Sequence, residues 1–262
     1  MARFVYFVAG GDRLSLRFIL GRAGTGKTTY CLAQIAEELQ ARPQGSSIIL
    51  LVPEQGTFQM EAALAAWPGL NGTMRAHVYS FRRLAWKVLQ EAGGAARPHL
   101  REIGKRMVLR NLLEQRRDDL KVFYRAARQP NFSDSLARVI AEMKMYCLTP
   151  AQLTSAAAFI GAKNNLLRNN LEDLALLYLD LEQFLAGRFT DPEDYLNLLA
   201  DRLAYSSTCL GSEVWVDGFS GFTPQEYRVL SKLLTVSARV NVALCLDPTI
   251  LGQPLDEQEL FY

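Results

Sequence analysis

Residues 15–28 read SLRFILGRAGTGKT: a short apolar-rich run, then glycines at 21, 24 and 26, then Lys27 and Thr28. Residues 15–20 predict a strand, and residues 27–41 set Tyr30, Leu32, Ile35, Ala36 and Leu39 along one face of a helix. A glycine-rich turn between strand and helix, spaced G-x-x-x-x-G-K-[ST], has a specific physical use. Gly21, Gly24 and Gly26 let the backbone bend until successive N–H groups point into one concavity, and the helix behind them adds partial positive charge. Such a loop receives phosphate oxygens. On this reading Gly21, Arg22, Ala23, Gly24, Thr25, Gly26, Lys27, Thr28 and Thr29 bind a nucleotide. Lys27 would reach the β- and γ-phosphates and the Thr28 hydroxyl would ligate Mg²⁺, so ATP and Mg²⁺ are the expected cofactors.

The next apolar run, SIILLV at 47–52, is continuous rather than alternating, as in a strand buried on both faces, and it stops at Pro53. Strand, helix and strand with short links make a βαβ unit, hence a parallel sheet. Strand-like runs return at 213–217 (EVWVD) and 240–246 (VNVALCL), around a helix near 224–236 that opens at Thr223-Pro224. Residues 96–206 carry no strand pattern, only helical stretches at about 100–117, 132–147, 150–160, 165–187 and 192–205. The expected architecture is an α/β core, 14–95 plus 207–262, interrupted by a helical insertion, 96–206, with residues 1–13 an extension of unassigned role.

A bound metal needs a second carboxylate at the end of a neighbouring strand, and Asp217, closing VWVD, is the candidate. In hydrolysing motors a Glu commonly follows this Asp and orients the attacking water; here Gly218 follows, which favours nucleotide binding over turnover. Glu226, one turn into the next helix, is a substitute candidate. Glu54 and Gln55 lie just beyond the second strand, where nucleotide contact and surface loop are both open readings. Asp247 reads equally as a ligand at the sheet's carboxyl edge and as an ordinary strand end.

Composition sets the outer limits. The 262 residues carry 29 Lys+Arg against 27 Asp+Glu, with 49% hydrophobic residues, which argues against disorder and against a uniformly basic coat. The balance is uneven along the chain. Residues 97–128 hold ten basic and four acidic residues, whereas 129–206 hold six basic and ten acidic ones. No apolar run approaches the roughly 20 residues that span a bilayer, and no signal-peptide pattern follows the short run at 4–9, so a cytoplasmic protein is expected. Cys31, Cys147, Cys209 and Cys245 lack metal-ligand spacing and read as buried structural thiols of a reducing compartment.

Five strings together resemble a known family: GRAGTGKTTY (21–30), LVPEQGTFQMEAAL (51–64), VYSFRRLAWKVL (78–89), VWVDGFSGFTPQE (214–226) and LDEQELFY (255–262). They are similar to the start of AddB, the B subunit of the bacterial ATP-dependent helicase/nuclease AddAB, or RexAB. The resemblance implies an N-terminal fragment: a P-loop, RecA-like helicase domain of superfamily 1 with an accessory helical subdomain. A nuclease domain bearing an iron–sulfur cluster is expected only in the part absent here. It further implies DNA as a partner, an AddA-type subunit in a heterodimer, and break repair in which AddB binds DNA ends and recognises a hotspot sequence while its partner supplies the motor. No membrane role is implied.

For DNA contact the best local signal is YSFRRLAWK at 79–87, continued by the basic stretch. Arg82, Arg83, Lys87, Arg101, Lys105 and Arg106 are the candidate phosphate contacts. Phe81, Leu84, Ala85 and Val88 fall at helical spacing and read as a core stripe, with base stacking by Phe81 or Trp86 the competing use. The rival function is a small P-loop kinase or another NTPase unrelated to DNA. Such kinases place their second acidic strand much closer to the loop than the 190 positions between Lys27 and Asp217.

Overall fold

A computed structural model describes residues 3–7, 16–70, 72, 74–94, 97–129 and 131–247. It divides into two units. One comprises the described residues through Ala92 with Leu199–Phe222 and those from Glu226; the other comprises Gly93–Leu198 with Thr223–Gln225.

The first unit is built on strands β1 (Arg3–Phe7), β2 (Leu16–Gly21), β3 (Ile48–Leu51), β4 (Ala76–Tyr79), β5 (Glu213–Val216) and β6 (Arg239–Cys245). Their order in the sheet is β1-β2-β6-β5-β3-β4. The last five run parallel, and β1 pairs antiparallel with β2 from Arg3↔Leu20 to Phe7↔Leu16. An α/β fold with a parallel sheet is therefore present, and residues 3–7 of the extension add an edge strand to it. Helices α1 (Lys27–Ala41), α2 (Thr57–Ala65) and α3 (Phe81–Ala92) follow the first strands. The periodic face of α1 does what its spacing predicts: Leu32, Ile35, Ala36 and Leu39 are buried together with Cys31. Cys31, Leu32, Ile35 and Leu39 share a core with Ile19, Ile48, Leu50, Trp215 and Ala243. In β3 all four residues are buried, as a run covered on both faces requires.

Two short elements carry no usable sequence signal. Strand β4 is four residues interrupted by the half-buried His77, and α2 is nine residues with Phe58 80% exposed and no clear apolar stripe.

The helical unit contains α4 (Glu102–Gln115), α5 (Phe123–Ala126), α6 (Phe132–Met145), α7 (Pro150–Ile160) and α8 (Asn165–Leu185). Its core gathers Leu109, Leu113, Ile140, Leu153, Leu177 and Leu181. Helix α7 starts where the sequence marks it: Thr149 and Gln152 form a reciprocal capping box with Pro150 at the first position. Asp191-Pro192 instead opens a single 3₁₀ turn, Pro192–Asp194, that leads into α9 (Tyr195–Arg202). Helix α10 (Pro224–Val236) follows β5.

The charge asymmetry resolves inside this unit, where the basic stretch and the acidic stretch neutralise each other. Lys105 bonds Asp191 and Glu193, both at 2.6 Å; Arg116 grips Asp180 through Nε at 2.6 Å and Nη2 at 3.0 Å; Lys121 pairs with Glu172.

Candidate functional site

Because five strands are parallel, their carboxyl ends share one edge of the sheet. That edge receives the loop after β2, Pro53 and Glu54 after β3, Ser80 after β4, Asp217 after β5 and Asp247 after β6. Strands β3 and β5 lie side by side while their onward connections run to opposite sides, so the edge also holds the switch point at which open α/β sheets form a crevice.

The loop after β2 is bent as its glycines permit. Gly24 and Gly26 have φ of +76° and +82°, conformations that an L side chain rarely adopts, and a Cβ at either would face open space. Gly26 precedes the first turn of α1, with Tyr30 N donating to its carbonyl at 2.9 Å. Lys27 Nζ donates to the carbonyls of Gly21 at 2.8 Å and Arg22 at 2.9 Å, so its ammonium is folded across the loop. Thr25 Oγ1 donates to the Arg22 carbonyl at 2.9 Å. The arrangement brings one lysine ammonium to the start of a helix, two features that can meet an anion.

Neighbouring strand ends brace the loop. Arg22 Nε donates to Asp247 Oδ2 at 2.8 Å, so Asp247 ties the loop to the end of β6. Ser80 Oγ donates to Glu54, joining the ends of β4 and β3, and Arg83 N donates to Ser80 Oγ at 3.2 Å. Asp217 is 5% exposed, and its N–H donates to the Leu51 carbonyl at 3.0 Å. The Cys31 thiol, one turn beyond Lys27, senses both ends of this arrangement. Burial pushes its pKa up to about 12 and the Asp217 charge adds to the push, while Arg17 and Lys27 oppose it. Cys31 is thus held as a neutral thiol between the helix and the Asp217 strand.

Gly218 has a backbone reason to be glycine. Its φ is +83°, and a Cβ there would lie 3.2 Å from Pro53 Cδ. A glutamate after Asp217 would be strained in this loop, whatever its chemistry. Glu226 occupies the first turn of α10.

The candidate DNA contacts divide between the two units. On α3, Phe81, Leu84, Ala85 and Val88 are buried, and Phe81 meets Phe219 and Phe222 edge-on at 5.4 and 6.4 Å. Phe81 is therefore core, whereas Trp86 is 57% exposed. Arg82 is exposed; Arg83 pairs with Glu61 at 3.0 Å and Lys87 with Glu91 at 3.1 Å. In the helical unit Arg101 is exposed, and Arg106 pairs with Glu102 at 3.2 Å and Asp134 at 3.3 Å. Lys105 requires a correction. It is 3% exposed and held by two carboxylates, so it has no charge to offer a phosphate backbone.

Beside Lys105 sits a second buried lysine. Carboxylate oxygens of Glu182, Asp191 and Asp194 lie within 4.8 Å of one another, a spacing compatible with a metal. The Lys144 ammonium fills that role, at 2.5 Å from Glu182 and 2.9 Å from each aspartate. Burial works against the Lys144 charge, but Asp194, Asp191 and Glu182 hold its pKa above the ordinary lysine value; burial likewise opposes the Asp191 charge, which its hydrogen bonds and the lysines keep well below the usual carboxylate range. The thiols need one further correction: Cys31 and Cys209 are buried, but Cys147 is only half-buried, and Cys245, at the carboxyl end of β6, is exposed.

With this geometry in hand, comparison with known proteins is specific. The family model described as "ADDB, N-terminal" matches residues 18–262. The chain belongs to the AddB N-terminal family. It is 60% identical over 251 residues to the B subunit of the ATP-dependent helicase/deoxyribonuclease of Pelotomaculum thermopropionicum, covering 95% of this chain and 22% of that protein. The Desulforamulus reducens protein of the same name is 56% identical over 250 residues, again 95% of this chain and 22% of the relative. The Bacillus cereus (strain ATCC 10987) protein, also of that name, is 47% identical over 254 residues, with the same coverage. The chain thus spans about a fifth of the length of these AddB relatives, and membership of the family displaces the kinase alternative. No helix among the described residues is long and apolar enough to cross a membrane.

Proposed function

We propose that this chain is the nucleotide-binding N-terminal part of a cytoplasmic helicase/deoxyribonuclease component that processes DNA ends with an AddA-type partner. Its core is a RecA-like helicase domain that binds ATP and does not drive the motor. The observation that carries the reading is the loop 21–28: two positive-φ glycines open onto α1, Lys27 lies over the loop carbonyls, and the buried Asp217 shares the same sheet edge. When ATP binds, Lys27 exchanges carbonyl oxygens for β- and γ-phosphate oxygens, and the first-turn amides of α1 take the rest. Thr28 and Asp217 are the residues that would hold Mg²⁺, which when bound would offset phosphate charge. Gly218, not a carboxylate, immediately follows Asp217, so no residue at that position can orient an attacking water and binding without brisk turnover is expected. DNA-end binding and hotspot recognition fall to exposed groups such as Arg82 and Trp86.

Titration with a fluorescent ATP analogue tests this. The parent chain should bind with Mg²⁺ present, Lys27→Ala should weaken binding by about 100-fold, and Asp217→Asn should remove the Mg²⁺ dependence. Equal binding by parent and Lys27→Ala would overturn the site. Turnover at or above about 1 s⁻¹ would overturn the non-motor assignment.

A further inference from the structure

The helical unit holds a cleft of about 470 Å³ that none of the candidate DNA contacts lines. This volume lies within the range of ligand sites, roughly 300–1,000 Å³. One wall is a single face of α4 and the turn after it, where Arg110, Leu113 and Arg117 recur at helical spacing; the 1%-exposed Leu113 makes that wall apolar. The opposite wall is Tyr124 of α5 with Arg128 beyond it, and Ser133 in the first turn of α6 adds a hydroxyl.

Charge sets this cleft apart from the rest of the basic stretch. Lys105, Arg106, Arg116 and Lys121 each close ion pairs at 3.3 Å or less. Among the described residues, Arg117 and Arg128 have no ion-pair partner, and Arg110 has only a loose one, Glu114 at 3.6 Å, with both side chains about 70% exposed. Outside the lining, Arg125 Nε donates to the Tyr124 hydroxyl at 2.7 Å and its guanidinium lies 5.3 Å from the Tyr124 ring centre. Of the cations in this stretch without a close ion pair, Arg110, Arg117 and Arg128 line one concavity together with Glu114, an aromatic ring and the Ser133 hydroxyl, whereas Arg97 and Arg101 do not line it. Such a set recognises phosphate oxygens by charge-assisted hydrogen bonds and a base by stacking.

We propose that this cleft binds the phosphodiester backbone of a single nucleic-acid strand, with Arg110, Arg117 and Arg128 on successive phosphates and Tyr124 against a base. A concave site with an aromatic wall suits one strand rather than the convex face of a duplex. The choice of DNA as that strand rests on the reading of the chain as part of a DNA-processing protein; the site itself is independent of the loop at 21–28.

The test measures fluorescence anisotropy of the 262-residue chain with a labelled single-stranded oligonucleotide across a salt series. Arg117→Gln with Arg128→Gln should weaken binding by about 10-fold or more and flatten the log–log salt slope by roughly 1.4, about 0.7 for each lost single-strand phosphate contact. Tyr124→Leu should weaken binding at unchanged slope, and Tyr124→Phe should restore it. A charge-matched control, Arg97→Gln with Lys163→Gln, should change binding less than about 3-fold. Any of four results overturns the proposal: parent-like binding by the cleft pair, equal loss in the control pair, duplex bound as tightly as single strand, or inorganic phosphate competing as well as an unlabelled oligonucleotide on a per-phosphate basis. ATP-analogue binding run alongside separates the two sites. Lys27→Ala should lose nucleotide and keep the oligonucleotide, and the cleft pair the reverse.

Discussion

The two units handle polar chemistry in opposite ways. In the α/β unit the principal polar site is contiguous: eight residues, 21–28, whose backbone and side chains bond mostly to one another. In the helical unit the polar groups meet across long stretches of chain, Lys105 with Asp191, Lys144 with Asp194, Arg116 with Asp180. The difference teaches what each set is for. A contiguous loop can stay open to solvent and rearrange around a ligand with little loss of fold stability. A knot of buried charges from four segments is part of the fold, and removing one member leaves another charged and unpaired.

Lys144→Met should break that comparison most severely. It leaves Asp191 and Asp194 with less than their full complement of positive charge in a buried site, at a cost of about 3–5 kcal/mol, measured as a lower urea midpoint at constant slope. Lys27→Ala, equally a lysine with oxygen partners, should shift stability by less than about 1 kcal/mol because its partners are loop carbonyls that water can reach. A Lys27 effect as large as that of Lys144 would erase the distinction between the units.

Acid should sharpen the comparison from the α/β side, where Glu91 makes a long-range polar clamp to Ser206 and Thr208. Burial pushes the Glu91 carboxyl up, but hydrogen bonds from Thr208, Ser206 and Lys87 outweigh it and hold its pKa at about 2. The folded pKa lies below the ordinary value of 4.5, so its stabilisation is present above about pH 4.5 and is lost as the pH falls toward 2. The contribution is at most about 3 kcal/mol, and Glu91→Gln should remove much of the acid-dependent loss between about pH 5 and 2.

Smaller effects follow from backbone geometry. Gly218→Glu should destabilise by about 1–2 kcal/mol through its left-handed φ and the contact with Pro53, without creating ATP turnover. In the helical unit Cys147 takes φ of +57° just after α6, with Leu148 N donating to the Met143 carbonyl at 2.8 Å, the pattern of a glycine-terminated helix. Cys147→Gly should therefore stabilise by about 0.5–1 kcal/mol, read as a rise in Tm.

The elements that local pattern alone specifies were legible. Ser15–Leu20, SIILLV, VWVD and VNVALCL marked strands of a parallel sheet, four of the five residues on the expected face of α1 are buried while Tyr30 is half-buried, and the stripe Phe81–Leu84–Ala85–Val88 is core. Strand β4 and helix α2 were not, because four and nine residues give period-based reading too few turns to work with. Cys245 sits in an apolar run yet is exposed, because its position at the strand's end, not its neighbours, sets its burial.

Sequence by itself determined the α/β class, the glycine loop and the helical character of the long middle segment, since periodicity, glycine spacing and helix caps act within a few residues of chain. Only the tertiary structure decided which charges were free. Lys105 and Arg117 both belong to one basic stretch, but Lys105 finds Asp191 86 residues away and is buried, whereas Arg117 remains on the wall of a cleft. Coulomb attraction depends on distance in space, and the chain's order does not encode it.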